Sequence, residues 1–241
     1  MCKVRQLVIA AGGVGSRMSP ELNPLRSKAL MTFRGEPLIH YVISWAKEAG
    51  FDQFFVSVNE HNLGAIARVV DRLRINAELR QTAHCFAAVP SLFKDMLDDR
   101  FAVTCGHCPV PSSHWIRLLK AAQVHECVNT AYSNPANPTT NLRRILLKRR
   151  GLQEYYSSAD LAFDVVPDDH VYTRNPYVVT KTIIDEVERD SFRRTAGYFI
   201  YEHWRRGGSM TSIPACMPVE FDHDSEWERT LRFLSEQRAA A

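Results

Sequence analysis

The residues with the most chemistry in them stand near the start of the chain: Leu7-Val-Ile-Ala-Ala-Gly-Gly-Val-Gly-Ser-Arg17-Met, followed by Ser27-Lys28-Ala-Leu. A short apolar run opens into a loop containing Gly12, Gly13 and Gly15. Glycines allow backbone N–H groups to approach phosphate oxygens closely, and a helix that follows such a loop adds its positive N-terminal end. The amides of Ala11 to Ser16 are expected to form the cradle. Arg17, and Lys28 eleven residues later, supply positive charge for a polyphosphate. The segment Gly13-Val-Gly15-Ser-Arg17 lacks the third glycine of the dinucleotide fingerprint and carries a basic residue instead, which disfavours a nicotinamide or flavin dehydrogenase.

Three other groups carry possible chemistry. Gln81-Thr82-Ala83 offers hydrogen-bonding groups before an apolar helical pattern, where Thr82 is equally suited to cap that helix. Cys105-Gly106-His107-Cys108 has the letters of the active tetrapeptide of protein disulfide isomerases. A thiol–disulfide oxidoreductase is therefore a remote alternative, although Pro109 and Val110 delay the next helix and its activating N-terminus. Zinc would need a second cysteine pair to match this one, and there is none, so buried thiols are the expectation. The basic segment Leu142–Arg150 is expected to be the solvated face of a helix, with a phosphate- or partner-binding patch as the alternative.

The elements that position these residues alternate. Gln6–Ala10 is expected to be a buried parallel strand ended by glycine. A helix opened by Pro37 runs to about Ala49, with Leu38, Val42, Ile43 and Ala46 on one face and Gly50 ending it. Strands are expected at Phe54–Val58, Ile75–Leu79, Phe101–Thr104 and Val128–Tyr132. Helices are expected at Leu63–Leu73, Cys85–Leu97 and Ser112–Gln123, the last with a serine N-cap. Ser133–Thr140 is read as a loop. Strands follow within Asp160–Thr173 and at Tyr177–Thr180, then helices at Lys181–Asp190 and Ser225–Gln237, the last with Trp227, Leu231 and Leu234 inward. Alternating strands and helices imply a three-layer α/β/α, Rossmann-like fold with a mostly parallel sheet. Its ligands sit at the carboxyl ends of the strands. The glycine loop and Cys105–Pro111 both leave such ends, so they are expected to face one cleft.

At 241 residues the chain suits a single domain, residues 1–241, in which about 133–214 forms a more variable region. A net charge of +3 permits small anionic substrates without pointing to nucleic acid. No apolar stretch is long enough to span a membrane. Without a secretory pattern at the N-terminus, the six cysteines are expected to be reduced and the protein cytoplasmic.

The order Ala10-Ala-Gly-Gly-Val-Gly-Ser-Arg17-Met, then Ser27-Lys-Ala-Leu, then Gly35-Glu-Pro-Leu-Ile, resembles nucleotidyltransferases of the sugar-nucleotide pyrophosphorylase and molybdenum-cofactor guanylyltransferase type. The resemblance covers about residues 6–125 and, more weakly, 215–235. It implies a GT-A-like nucleotidyltransferase fold and transfer of a nucleoside monophosphate from an NTP to a phosphorylated or phosphonylated small molecule. The nucleotide would be held by Ala10, Ala11, Gly12, Gly13, Gly15, Ser16, Gln81, Thr82, Ala83 and Gly106, and Arg17 and Lys28 would be catalytic. The variable region would shape the acceptor pocket, with Lys181, Arg193 and Arg194 as candidate phosphate ligands, and could form a homodimer contact. In this family an aspartate after the glycine at 106, with a carboxylate near the C-terminus, holds Mg²⁺. Here that position is His107, and the second ligand is Asp222, with Asp224 as the alternative in register. Imidazole suits Mn²⁺ better than Mg²⁺. A nucleotide-binding sensor of the same fold, impaired in catalysis, is therefore the alternative.

Overall fold

A computed structural model describes residues 3–82, 86–132, 144–148, 153–156, 170–189, 200, 203, 206–218 and 224–239. In chain order the strands and helices are β1 (Gln6–Ala10), β2 (Thr32–Phe33), β3 (Glu36–Pro37), α1 (Leu38–Glu48), β4 (Gln53–Val58), α2 (Leu63–Leu73), β5 (Asn76–Gln81), β6 (Arg100–Cys105) and α3 (Ser112–Ala121). There follow β7 (Cys127–Tyr132), β8 (Arg144–Lys148), β9 (Gln153–Tyr156), β10 (His170–Thr180), α4 (Thr182–Arg189), β11 (Met210–Pro214) and α5 (Asp224–Ala239).

The main sheet runs β11-β7-β10-β6-β1-β4-β5, and a β8–β9 hairpin extends it from β10. β1 lies inside the sheet, parallel to β4 on one side and β6 on the other, which is why its residues form an unbroken apolar run. Its side chains alternate between two cores. Leu7 and Ile9 join Val42, Ile43, Ile66, Trp115 and Leu234 beneath α1, α2, α3 and α5. Val8 joins Phe93, Phe101, Ile183 and Ile184 on the opposite face. The helices are positioned by their apolar stripes: Leu38, Val42, Ile43 and Ala46 of α1 are all fully buried. Gly50 follows that helix with φ +101°, a conformation that favours glycine.

The sheet is mostly parallel, as expected; β9 and β10 run the other way. β10 is antiparallel to both β6 and β7 and separates them. It joins β6 and β7 by non-local pairing, and its register shifts between Arg174 and Val178.

Several expectations need correction. No helix follows the glycine loop: residues 16–27 form turns, Lys28–Leu30 is one 3₁₀ turn, and the first α-helix begins at Leu38. Arg144–Lys148 is a strand, not a helix face, because its Ile145-Leu146-Leu147 run pairs with β10 on one side and β9 on the other. Phe86–Met96 is 3₁₀ rather than α, with Pro90 inside it unable to supply an i→i−4 donor. Ser112 is the first residue of α3, and Pro111 occupies the capping position. The strands β9 and β11 and the short β2–β3 pair were not anticipated. Ser133–Thr140 lies outside the described residues. Among the described residues no helix is long and apolar enough to cross a membrane.

Candidate active site

The site is built around the chain that leaves β1. Ala11 donates its N–H to the Ser57 carbonyl at 3.0 Å, so this amide belongs to the sheet and is not free for phosphate. The next five amides, Gly12 to Ser16, donate to no group among the described residues. Consecutive unused N–H groups in a loop form an anion-binding concavity. One side of it is open: a Cβ on Gly13 would meet nothing within 4 Å. The other side is closed, since a Cβ on Gly12 would lie 3.1 Å from the Thr82 carbonyl and 3.3 Å from that of Val58. The helix dipole invoked from the sequence does not stand behind the loop, so its own amides are the donors available there to an anion.

Gly15 has φ +62°, and a Cβ there would fall 2.6 Å from Asn23 Nδ2 and 2.9 Å from Lys28 Cγ. Both conformation and space therefore require glycine. The same contact shows where Lys28 runs: its stem passes against the loop, and the residue is almost wholly buried. Arg17 is exposed on the turn that follows.

Gly106 closes the third side. It leaves β6 with its N–H bonded to the Ala10 carbonyl at 2.9 Å. A Cβ on it would stand 2.8 Å from Ala11 Cβ and 3.1 Å from Ala29 Cβ. Strand end, glycine loop and Lys28 turn thus meet at one point, as the carboxyl-end rule predicts. Thr82 also converges there. Its N–H bonds the Val58 carbonyl at 2.9 Å, continuing the β4–β5 pairing. The next described residue, Phe86, opens the 3₁₀ segment Phe86–Met96. Gln81 is exposed at the end of the edge strand β5. Ala83 lies outside the described residues.

Three asparagines that were not singled out from the sequence hold the loop in shape. Asn62, fully buried, donates to the Ala11 carbonyl at 2.7 Å and to Ser27 Oγ at 2.9 Å, and accepts the Asn59 N–H at 2.8 Å. Asn59 Nδ2 donates to the Gly12 carbonyl at 3.0 Å. Asn23 accepts the Ser27 N–H at 2.7 Å and donates to the carbonyls of Val14 and Gly15 at 3.3 and 3.4 Å. Because the carbonyls are occupied by side-chain donors, the amides are left pointing elsewhere. Asn59 and Asn62 follow the carboxyl end of β4, and that position was the available signal.

The residues expected to hold a cation are only partly described. His107 is half-buried just beyond Gly106. Asp222 lies outside the described residues. Asp224 Oδ1 accepts the Ser19 N–H at 3.0 Å. Among the described residues no group of three or more His, Cys, Asp or Glu side chains is placed to hold a metal. His107 offers a nitrogen where Mg²⁺ prefers oxygen ligands, and one Asp224 oxygen is engaged by the Ser19 amide.

Lys181 is not in the cleft. It follows Thr180, which pairs with Arg100 at the opposite end of β6, and its Nζ donates to the Leu97 carbonyl at 2.7 Å. It fixes the start of α4 instead of binding an acceptor. Arg193 and Arg194 lie outside the described residues. Cys105 and Cys108 are buried, and Cys105 Sγ accepts from Asn175 Nδ2 at 3.6 Å.

Beneath the cleft, β10 is fastened by buried polar bonds. Thr104 Oγ1 donates to Asn175 Oδ1 at 3.3 Å, Tyr132 Oη to the Asn175 carbonyl at 3.2 Å, and Thr130 Oγ1 to the Pro176 carbonyl at 3.1 Å. With its proton used on Pro176, the Thr130 hydroxyl accepts from His114 Nε2 at 3.0 Å. This direction corresponds to the Nε2–H tautomer, and its buried Nδ1 has no partner among the described residues. Burial, with nearby Arg117, lowers its pKa to about 4.

Comparison with known proteins adds the family. The sequence profile described as MobA-like NTP transferase domain matches residues 7–203. No curated protein matches by sequence. The inositol-1-phosphate CTP transferase from T. maritima superposes with a TM-score of 0.76 at 15% identity, covering 98% of this chain and 96% of that one. The 4-diphosphocytidyl-2C-methyl-D-erythritol synthase from Anaerococcus prevotii superposes with a TM-score of 0.68 at 12% identity, covering 97% and 99%.

Proposed function

This chain belongs to the family of MobA-like NTP transferase domains, and on that premise we propose that it transfers a nucleoside monophosphate from an NTP to a phosphorylated or phosphonylated small molecule. The observation that carries the reading is the run of five amides, Gly12 to Ser16, that donate to no group among the described residues, beside a buried lysine.

An oxygen of the acceptor phosphate attacks the α-phosphorus. The bond from that phosphorus to the β-bridging oxygen breaks, and pyrophosphate leaves with the electron pair. The nucleophile is already anionic, so no general base is needed, and alignment and charge neutralisation do the work. The Gly12–Ser16 amides hold the β- and γ-phosphates. Arg17 and Lys28 neutralise charge that grows on the leaving pyrophosphate and the transferring group. Thr82, with Gln81 and Ala83, borders the nucleobase. A divalent cation would arrive with the triphosphate, with Asp222 and His107 as its candidate protein ligands; the steps above rest on the chain's own donors.

A nucleotide-binding sensor is the second reading, favoured by the imidazole at position 107. Thermal-shift measurements with CTP, UTP, GTP, ATP and dTTP come first. Ligand at a hundred times its Kd adds about 2.7 kcal/mol of stability, a readily visible shift. CTP heads the panel because two structural relatives are named for cytidylyl chemistry. Pyrophosphate release is then measured with sugar phosphates, alcohol phosphates and phosphonates, in Mg²⁺ and in Mn²⁺. Release with any acceptor removes the sensor reading. Tight binding without release across the panel refutes transfer.

A further inference from the structure

We propose that Asp224 is a positioning residue that holds the Arg17 turn in place for the triphosphate, an assignment that rests on the nucleotidyl-transfer reading above. Asp224 opens α5, 205 residues away in sequence from Ser19, yet its Oδ1 accepts the Ser19 N–H at 3.0 Å. Ser19 sits two residues after Arg17 and within a chain of turns. The Met18 N–H bonds the Gly15 carbonyl, and the Asn23 N–H bonds the Ser19 carbonyl, each at 3.0 Å. Asn23 in turn holds the Gly15 carbonyl and the Ser27 amide, one residue before Lys28. Anchoring Ser19 therefore sets the placement of both proposed phosphate-binding cations.

Packing anchors the neighbouring Met18, which is buried in the core, while Ser19 is half-buried and its backbone is held by a polar partner. The residues that follow border a cavity of about 330 Å³ lined by Glu21, Leu22, Asn23, Ser27, Leu30 and Trp227, the last from the first turns of α5. A carboxylate accepting an N–H makes a short, charge-assisted bond, and the first turn of a helix favours that negative charge. α5 thus presents Asp224 as a fixed post for the turn. The assignment departs from Asp224 as a metal ligand: its oxygen points to an amide of the loop.

Two variants with opposite virtues test it. Asp224→Asn keeps an acceptor oxygen at the right length but loses the charge. Asp224→Glu keeps the charge and a ligating carboxylate but is one methylene too long. Three readouts are taken on each full-length variant: exchange of the Ser19 amide, affinity for inorganic tripolyphosphate, and kcat and KM for the NTP across Mg²⁺ concentrations. Asp224→Asn is expected to stay within about threefold of wild type, with unaltered Mg²⁺ dependence. Asp224→Glu is expected to expose the Ser19 amide and to weaken tripolyphosphate and NTP binding about tenfold, or ~1.4 kcal/mol. Asn performing worse than Glu, with a raised Mg²⁺ requirement, makes Asp224 a metal ligand and overturns the proposal. Equal behaviour of the two variants overturns it, as does faster Ser19 exchange with undiminished binding. A wild type that turns over no NTP refutes the transfer reading, while the exchange and tripolyphosphate readouts still decide the tether.

Discussion

Replacing Gly106 by alanine tests the convergence on which the site depends. The new Cβ would stand 2.8 Å from Ala11 Cβ, 3.1 Å from Ala29 Cβ and 3.4 Å from Ala11 Cα. Carbon atoms prefer about 3.5–4.0 Å, so the shortest contact is short by roughly 1 Å. None of the three partners is the tip of a flexible side chain that could swing aside. Gly106 is itself held by its N–H bond to Ala10. Relief must come from moving the glycine loop or the Lys28 turn, and overpacking of this kind costs about 1–3 kcal/mol. At 2 kcal/mol and this chain length, Tm falls by roughly 4–8 °C. NTP affinity falls with it, because the displaced parts are the cradle. Urea unfolding and thermal melts measure the loss. Gly13→Ala is the control, since its Cβ meets nothing, and its stability should stay within about 0.5 kcal/mol. The decisive variant is the swap Ala11→Gly with Gly106→Ala, which removes the closest clash. The pair should be more stable than the sum of its single changes implies by about 1 kcal/mol or more. Additivity, or a Gly106→Ala protein as stable as Gly13→Ala, would refute the steric account.

Asn62→Ala strips partners from the Ala11 carbonyl, the Asn59 amide and the Ser27 hydroxyl. A loss of about 2–4 kcal/mol in urea unfolding is expected, with weaker NTP binding. His114 gives a pH signature. Its pKa is lowered to about 4 from 6.5, so between those values the unfolded chain binds more protons than the folded one, and stability rises with pH. Acidifying from pH 6.5 to 4 should remove about 3 kcal/mol through this group. His114→Gln should flatten that part of the profile, and an unchanged slope would place the titration elsewhere. At the cation position, His107→Asp should tighten Mg²⁺ binding in the presence of NTP, as titrated calorimetrically. Unchanged affinity would mean that residue 107 does not face the metal.

Much of the fold was legible because it is written in local periodicity. Gln6–Ala10, Leu38–Glu48 and Leu63–Leu73 match their expected spans within about a residue, since a buried strand and an amphipathic helix each impose their own spacing. β10 was legible only in part. Its residues read as two short strands because the Asn175-Pro176 interruption breaks the pattern, and its antiparallel seat between β6 and β7 is a property of distant partners. Likewise Arg144–Lys148 read as a charged helix face, since its apolar centre became a strand through pairing with β10.

The chemistry of the site was set by residue type and order. Glycines at 12, 13, 15 and 106, with Arg17 and Lys28, pointed to a phosphate cradle before any coordinates were known, because glycine leaves backbone amides accessible and basic side chains complement a polyphosphate. Tertiary structure decided which groups are left to do the work. It withdrew the Ala11 amide into the sheet, supplied no helix behind the loop, and sent Lys181 to the far end of β6. It also recruited Asn23, Asn59, Asn62 and Asp224 as supports. The reason is physical. A hydrogen-bonding group serves a ligand only when the fold has not already satisfied it, and partners 35, 47 or 205 residues apart do not announce themselves along a chain.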